Sequence, residues 1–255
     1  MTDYLAVNCC PIVELRQYTL HRGKRDVLID LFDREFIESQ EALGMRIIGQ
    51  FRDLDNPDRF VWLRGFSDMA TRAQALQAFY SGPVWKAQRN AANATMIDSD
   101  NVLLLHSARA NSGFELDTSV RLAPGASDAS EGLVVATIYY FNAPVVEAFV
   151  DFFEHELKPA VTEIGTPILA YFVTENSANN FPALPVREGE HVFAWFSCFV
   201  NTAAYEQFNA AFIARVELTR KLTSQLKGDP EVLKLSPTSR SQLRGPQASP
   251  LAKCC

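Results

Sequence analysis

The chain is one stretch of sequence written twice. Residues 13–53 align with 134–174 without a gap, pairing Val13 with Val134, Tyr18 with Tyr139, Asp30 with Asp151 and Phe32 with Phe153. The run continues through Glu35 and Glu156, Gly44 and Gly165, Ile47 and Ile168, and Phe51 and Phe172. After an insertion in the second copy the match resumes, joining Trp62 to Trp195, Phe66 to Phe199, Gln74 to Gln207 and Phe79 to Phe212. A long gap-free run that also preserves hydrophobic periodicity marks a duplicated structural unit.

Each copy spells the same order of elements. A strand of period two comes first, over 12–20 and 133–141. An amphipathic helix follows, with Val27, Leu28, Leu31, Phe32 and Phe36 echoed by Phe149, Phe152, Phe153 and Leu157. Asn142 and Pro144 are a natural helix start in the second copy, and Gly44 and Gly165 are natural stops. Two strands come next (45–53 and 59–66; 167–175 and 191–199), then a helix capped by Ser67 or Asp68 and by Asn201, then a last strand (101–107; 231–235). The order β-α-β-β-α-β is the ferredoxin-like unit. The chain therefore divides into a first unit at 1–108, a Ser-, Ala- and Gly-rich linker at 109–131, a divergent second unit at 132–236, and a tail at 237–255 expected to be disordered.

A ferredoxin-like unit covers one face of its sheet with helices and leaves the other bare, and a bare apolar face must be covered. The expected fold class is α+β, with tandem units pairing sheet faces into α+β barrels, inside one chain or between chains. A homodimer or higher oligomer is the expected assembly. Placing Val13 and Leu15 against the helices leaves Ile12, Glu14, Arg16, Tyr18 and Leu20 on the open face. In strand three Phe60, Trp62, Arg64 and Phe66 alternate with Val61, Leu63 and Gly65, so Trp62 and Arg64 lie beside Glu14, Arg16 and Tyr18.

Composition narrows the classes of function. Of the 255 residues 47% are apolar, enough for a sizeable core, and the net charge of −6 argues against nucleic acid or an anionic membrane as the main partner. The opening MTDYLAVNCC lacks the basic start and apolar run of a signal peptide, and no apolar run reaches the roughly 18 residues of a membrane helix, so a cytoplasmic location is expected. Cys9–Cys10, Cys198 and Cys254–Cys255 do not form a disulfide pattern, and Cys198 among aromatic residues is expected to be a buried, inert thiol. Phosphate loops, nucleophile elbows and metal-ligand spacings are absent from the sequence, so no metal and no cofactor are expected.

The Glu-x-Arg-x-Tyr of VELRQYTLHRG, the aromatic third strand and the Tyr-x-x-Pro-x-Trp segment ending at Trp85 resemble the NIPSNAP family of the dimeric α+β barrel superfamily. The resemblance covers residues 12–107 well; the second copy lacks the acid and base of strand one. It implies a fold and an assembly mode, and no catalytic mechanism. The wider superfamily includes cofactor-free monooxygenases, isomerases and haem proteins, so a haem reading stands as an alternative, with His155 as the one helical histidine.

Glu14, Arg16, Tyr18, Trp62, Arg64 and Tyr139 are the candidate ligand-binding residues. Arg is the natural anchor for an anion or carbonyl at the end of an aromatic pocket. The second copy replaces Glu14, Arg16 and Arg64 by Val135, Thr137 and Ser197, which suggests that one copy anchors a ligand while the other supplies apolar wall. The expected function is the binding, with cofactor-free transformation left open, of a small apolar or aromatic metabolite in a barrel cavity. The competing reading is a scaffold in which the charges hold sheets in register. Trp85 is expected to plug one end of the barrel.

Overall fold

A computed structural model describes residues 10–116, 121–125 and 132–245. Eight strands form one closed antiparallel barrel: β1 (Ile12–Leu20), β2 (Arg46–Asp53), β3 (Arg59–Phe66), β4 (Met96–Ser107), β5 (Leu133–Phe141), β6 (Ile168–Thr174), β7 (His191–Phe199) and β8 (Glu231–Pro237). Their order around the barrel is β1-β3-β2-β8-β5-β7-β6-β4. Each half contributes four neighbouring strands, and two short seams join the halves: β2 with β8 from Phe51↔Pro237, and β4 with β6 from Leu105↔Thr174. Closure occurs inside a single chain. It covers the sheet faces on which the expectation of self-association rested.

The duplication is visible at the level of irregularities. In the first half α1 (Arg25–Leu31) runs through a π turn at Phe32–Phe36 into α2 (Ile37–Glu41). In the second, α5 (Glu147–Phe152) runs through a π turn at Phe153–Leu157 into α6 (Lys158–Glu163). Gly44 and Gly165 follow with φ of 87° and 89°, a left-handed conformation that glycine adopts without strain. A bulge then interrupts β2 between Ile47 and Gly49, and β6 between Ile168 and Ala170. Asp68 caps α3 (Met69–Ser81) by accepting from the Thr71 amide at 2.6 Å, and Asn201 caps α7 (Thr202–Ile213) by accepting from Ala204 at 2.9 Å. The helix after β5 starts later than Asn142 and Pro144 suggest: Val146 occupies the cap position and no side chain caps it. Two further helices, α4 (Pro83–Asn93) and α8 (Val216–Thr223), complete the outer layer.

The barrel interior is a packed core. Val13, Leu15, Val61 and Leu63 point inward from the first half and meet Ala136, Ala194, Phe172 and Phe196 from the second. Eight strands leave an interior just wide enough for side chains to fill. This reverses the expected assignment of faces. Ile12, Tyr18, Phe60, Trp62 and Phe66 pack against the helices, not into the barrel. Alternation shows that a strand has two faces, but both faces here are buried, so polarity does not distinguish them. On β1 and β3 the aliphatic Val13, Leu15, Val61 and Leu63 take the barrel side and the arginines and larger rings take the layer beneath the helices, but Phe51, Phe172 and Phe196 also fill the barrel, so size does not separate the faces either. Trp85 likewise packs with Phe36, Phe79 and Tyr80 in that layer and does not plug the barrel.

The linker and tail are also more ordered than their composition suggests. Phe114 is buried at 1% exposure, and Arg109 pairs with Glu147, Asp151 and Glu154. Beyond β8, Thr238, Arg240, Ser241 and Leu243 are buried, with Leu243 N–H donating to the Ile48 carbonyl at 2.8 Å. Arg240 reaches the Glu38 carboxylate and the Asp33 carbonyl. The expected disorder is therefore corrected for 237–245; residues 246–255 lie outside the described residues.

This docking leaves a pH signature. The Asp33 Oδ1 atom is buried without a partner among the described residues, and burial pushes its carboxyl up from 3.8 to about 6 against an opposing pull from Arg240. The folded protein then holds the proton more tightly than the unfolded chain, so stability falls as pH rises from 3.8 to about 6. Asp33→Asn should remove that slope and stabilise the protein at pH 7 by about 2 kcal/mol. Urea unfolding at pH 4 and pH 7 checks this; equal pH slopes in both proteins would refute it.

Candidate functional site

Both halves place equivalent residues beneath their helices, and the chemistry of the two places is opposite. In the first half Glu14 on β1 stands across from Arg64 on β3, and Arg16 across from Trp62. All three charged side chains are fully buried, and a fourth, Arg72, enters from α3. Glu14 Oε2 accepts from Arg16 Nη1 at 2.7 Å and from Arg64 Nη2 at 2.6 Å, while Oε1 accepts from Arg72 Nε at 2.7 Å. Each nitrogen of Arg64 has a partner, since its Nε also donates to Glu14 Oε2 at 3.2 Å and its Nη1 to Gln40 Oε1 at 2.8 Å. Arg16 Nε donates to the Tyr18 hydroxyl at 2.9 Å, and its guanidinium lies 5.4 Å from the Tyr18 ring centre and 5.6 Å from that of Trp62.

Burial alone would raise the Glu14 carboxyl, but Arg64, Arg16 and Arg72 outweigh it and hold the group well below the usual carboxylate range. Burial pushes the Tyr18 hydroxyl up and the Arg72 guanidinium down. Three cations share one carboxylate, so the cluster carries surplus positive charge. Arg16 Nη2 and Arg72 Nη2 are buried and have no hydrogen-bond partner among the described residues. The adjoining space between Tyr18, Phe36, Trp62, Tyr80 and Trp85 amounts to about 40 Å³, so side chains nearly fill it.

In the second half the open volume appears. Val135, Thr137 and Ser197 take the positions of Glu14, Arg16 and Arg64, and the register matches: Val135↔Ser197 and Thr137↔Trp195. Losing the long side chains leaves a cavity of about 270 Å³ between β5, β7, α7 and α8. Tyr139, Trp195, Phe208 and Phe212 wall it, and burial pushes the Tyr139 hydroxyl up. The buried Ser197 Oγ has no hydrogen-bond partner among the described residues, while the Trp195 indole lies near enough to the Tyr139 hydroxyl to act on it as a donor.

Glu14, Arg16, Tyr18, Trp62 and Arg64 thus come together as one cluster, but Tyr139 does not join them. It belongs to the second half's own helix-facing core, and the barrel core lies between the two sites. A single cavity with a charged wall and an apolar wall does not form. Arg72 escapes a strand-based reading because it comes from a helix. The repeat could have revealed it: the alignment that joins Trp62 to Trp195 joins Arg72 to Tyr205, a fourth charge lost in the second copy. Cys198 is buried and its thiol is raised by burial, as befits an inert side chain. His155 is exposed, with Nδ1 2.8 Å from the Asp151 carbonyl oxygen, and lies outside both pockets. Among the described residues no helix is long and apolar enough to cross a membrane.

Residues 13–108 match the NIPSNAP family. The first half of the chain is a NIPSNAP domain. Among solved structures, similarity extends over the whole doubled barrel. A proposed monooxygenase from Lactobacillus acidophilus NCFM is 15% identical with a TM-score of 0.53, covering 89% of this chain and 94% of its own. One from Fusobacterium nucleatum subsp. nucleatum is 10% identical with a TM-score of 0.54, covering 94% of this chain and 97% of its own. An anthrone oxidase-like protein is 14% identical with a TM-score of 0.50, covering 91% of this chain and 95% of its own. At these identities the likeness shows a shared fold, with a NIPSNAP domain and its divergent copy closed into one α+β barrel. No curated protein matches the sequence.

Proposed function

We propose that the protein binds a small, uncharged aromatic or apolar metabolite in the pocket of its second half, beneath α7 and α8. The observation that carries this reading is an apolar cavity of about 270 Å³ that contains a serine hydroxyl buried without a partner. That volume sits just below the usual range for drug-sized ligands and suits one or two fused rings. The pocket's lining holds no Asp, Glu, His, Lys or Arg, so a charged ligand would find no counter-ion there. One hydroxyl or carbonyl on the ligand can pair with Ser197 or Trp195, and the rings stack in the aromatic wall.

The fold neighbours described as monooxygenase and anthrone oxidase-like proteins make aromatic ligands a natural class to test. Proton abstraction from such a molecule needs a base, and burial pushes both Tyr139 and Tyr205 away from ionisation at neutral pH. Binding is therefore the function the site supports. Haem fits poorly: the lining offers no His, Cys or Met, burial keeps the hydroxyls of Tyr139 and Tyr205 from ionising to an axial phenolate, and about 270 Å³ is small for a macrocycle.

Titration with 1-naphthol and naphthalene, followed by tryptophan fluorescence or calorimetry, tests the proposal. Both should bind the wild-type protein. Ser197→Ala should weaken 1-naphthol about fivefold to tenfold, as for a lost hydrogen bond, and leave naphthalene unchanged. Ser197→Phe should fill the pocket and abolish both. No binding of either compound to the wild-type protein would overturn the reading.

A further inference from the structure

The insertion that separates β6 from β7 reaches across to the other half. The first copy passes from β2 to β3 within residues 54–58, whereas the second takes 175–190. From this longer loop Asn180 Oδ1 and Asn179 Oδ1 accept from Arg72 Nη1 at 2.7 and 3.1 Å. Phe181 stacks on Tyr80, with ring centres 5.7 Å apart and planes 27° apart. Asn180 Nδ2 also donates to the Met69 carbonyl at 2.5 Å, which fastens the loop to α3. Asn179 Nδ2 donates to the Leu184 carbonyl and Phe181 N–H donates to Asn179 Oδ1, so the tip is a compact turn.

Two oxygens on a guanidinium, beside a ring stacked on a tyrosine, are the parts of an aromatic carboxylate. The imitation is imperfect in one respect: the amide oxygens are neutral. Arg16, Arg64 and Arg72 share a single carboxylate, and the loop adds no negative charge to them. Buried charge is stable only when paired, and guanidinium pairs best with a planar oxyanion. Arg72 Nη2 and Arg16 Nη2 remain buried without partners among the described residues, available to a group that displaces the loop.

We infer that the NIPSNAP half holds a second binding site, for a small aromatic carboxylate, and that the 175–190 loop of the other half occupies it as a built-in competitor. Entry of the ligand places its carboxylate on Arg72 in place of the asparagine oxygens and its ring on Tyr80 in place of Phe181. The site is separate from the uncharged-ligand pocket of the second half.

Benzoate is the probe, with benzamide as its neutral isostere. Benzoate should bind by calorimetry and benzamide should not. Benzoate should also speed tryptic cleavage after Arg187 several-fold by freeing the loop. Asn179→Ala with Asn180→Ala removes the competitor and should tighten benzoate about tenfold. A loop that merely buttresses α3 would predict no such gain. Arg72→Gln should abolish benzoate binding if the variant folds, and Ser197→Phe, which blocks the other pocket, should leave it unchanged. Failure of benzoate to bind both the wild-type protein and the double asparagine variant would overturn the inference. So would equal binding of benzamide, or loss of benzoate binding in Ser197→Phe.

Discussion

Replacing Glu14 with alanine is expected to cost about 3–5 kcal/mol, enough to unfold a protein of ordinary stability. The carboxylate is fully buried and is the only acid that touches Arg16, Arg64 and Arg72 in the described residues. Removing it leaves three buried guanidiniums repelling one another, and breaking a buried network by one member is worse than never having built it. The wild-type protein should show the same dependence on acidification. Because the Glu14 carboxyl lies below its ordinary 4.5 when folded, its contribution is complete above that pH and is lost progressively as pH falls below it. The chain itself supplies the control. Glu14→Val with Arg16→Thr, Arg64→Ser and Arg72→Tyr installs the residues that the second half uses at the same places. That fourfold variant should be more stable in urea than Glu14→Ala, because no buried charge is left unpaired, and less stable than the wild-type protein, because the shorter side chains leave a cavity as they do in the second half. A Glu14→Ala protein as stable as the wild type would show that the cluster is not a single electrostatic unit.

The repeat made most of the architecture legible, and what it hid follows a pattern. Strands 12–20, 59–66, 133–141 and 191–199 have the boundaries that period-two alternation indicates. Asp68 and Asn201 cap their helices because a short polar side chain before an apolar run has few other uses. The orientation of β1 was not legible. Alternation separates a wet face from a dry one, and both faces of β1 are dry: Val13 and Leu15 face the barrel, while Glu14 and Arg16 are equally buried beneath α3. Read from the strands alone the charges demand an open cavity, yet they find their partners in one another and in Gln40 and Arg72, both of which lie on helices that strand patterns ignore. Residues 237–245 have little periodicity because hydrogen bonds from Arg240 and the Leu243 amide dock them, not an apolar stripe. The division of labour between the copies was readable in Val135, Thr137 and Ser197. Its form was not: the halves make two sites of opposite polarity, where one shared cavity had been expected.

Phe114→Ala should cost about 3–5 kcal/mol, although its surroundings in the sequence read as a linker. The reason lies in an imbalance inside the barrel. The repeat places Ala136 where the first half has Leu15, and Ala194 where it has Val61, so at these positions the second half lines the interior with smaller side chains, a loss that Phe196 in place of Leu63 offsets only in part. A barrel with one thin wall would leave a void, and interiors do not tolerate voids cheaply. Phe114 belongs to the same core, with its ring centre 5.3 Å from that of Phe172 and 5.0 Å from that of Phe196. Reciprocal hydrogen bonds hold it there: Tyr171 N–H donates to the Ser112 carbonyl at 2.8 Å, and Ser112 Oγ donates to the Tyr171 carbonyl at 2.8 Å. The connection between the copies therefore completes the core that the second copy leaves underfilled. Urea unfolding of Phe114→Ala and Phe114→Leu measures this, and the leucine variant should recover roughly half of the loss because it restores part of the volume. A loss below about 1 kcal/mol for the alanine variant would mean that the strands fill the barrel unaided and that residues 109–116 serve only to tether the halves.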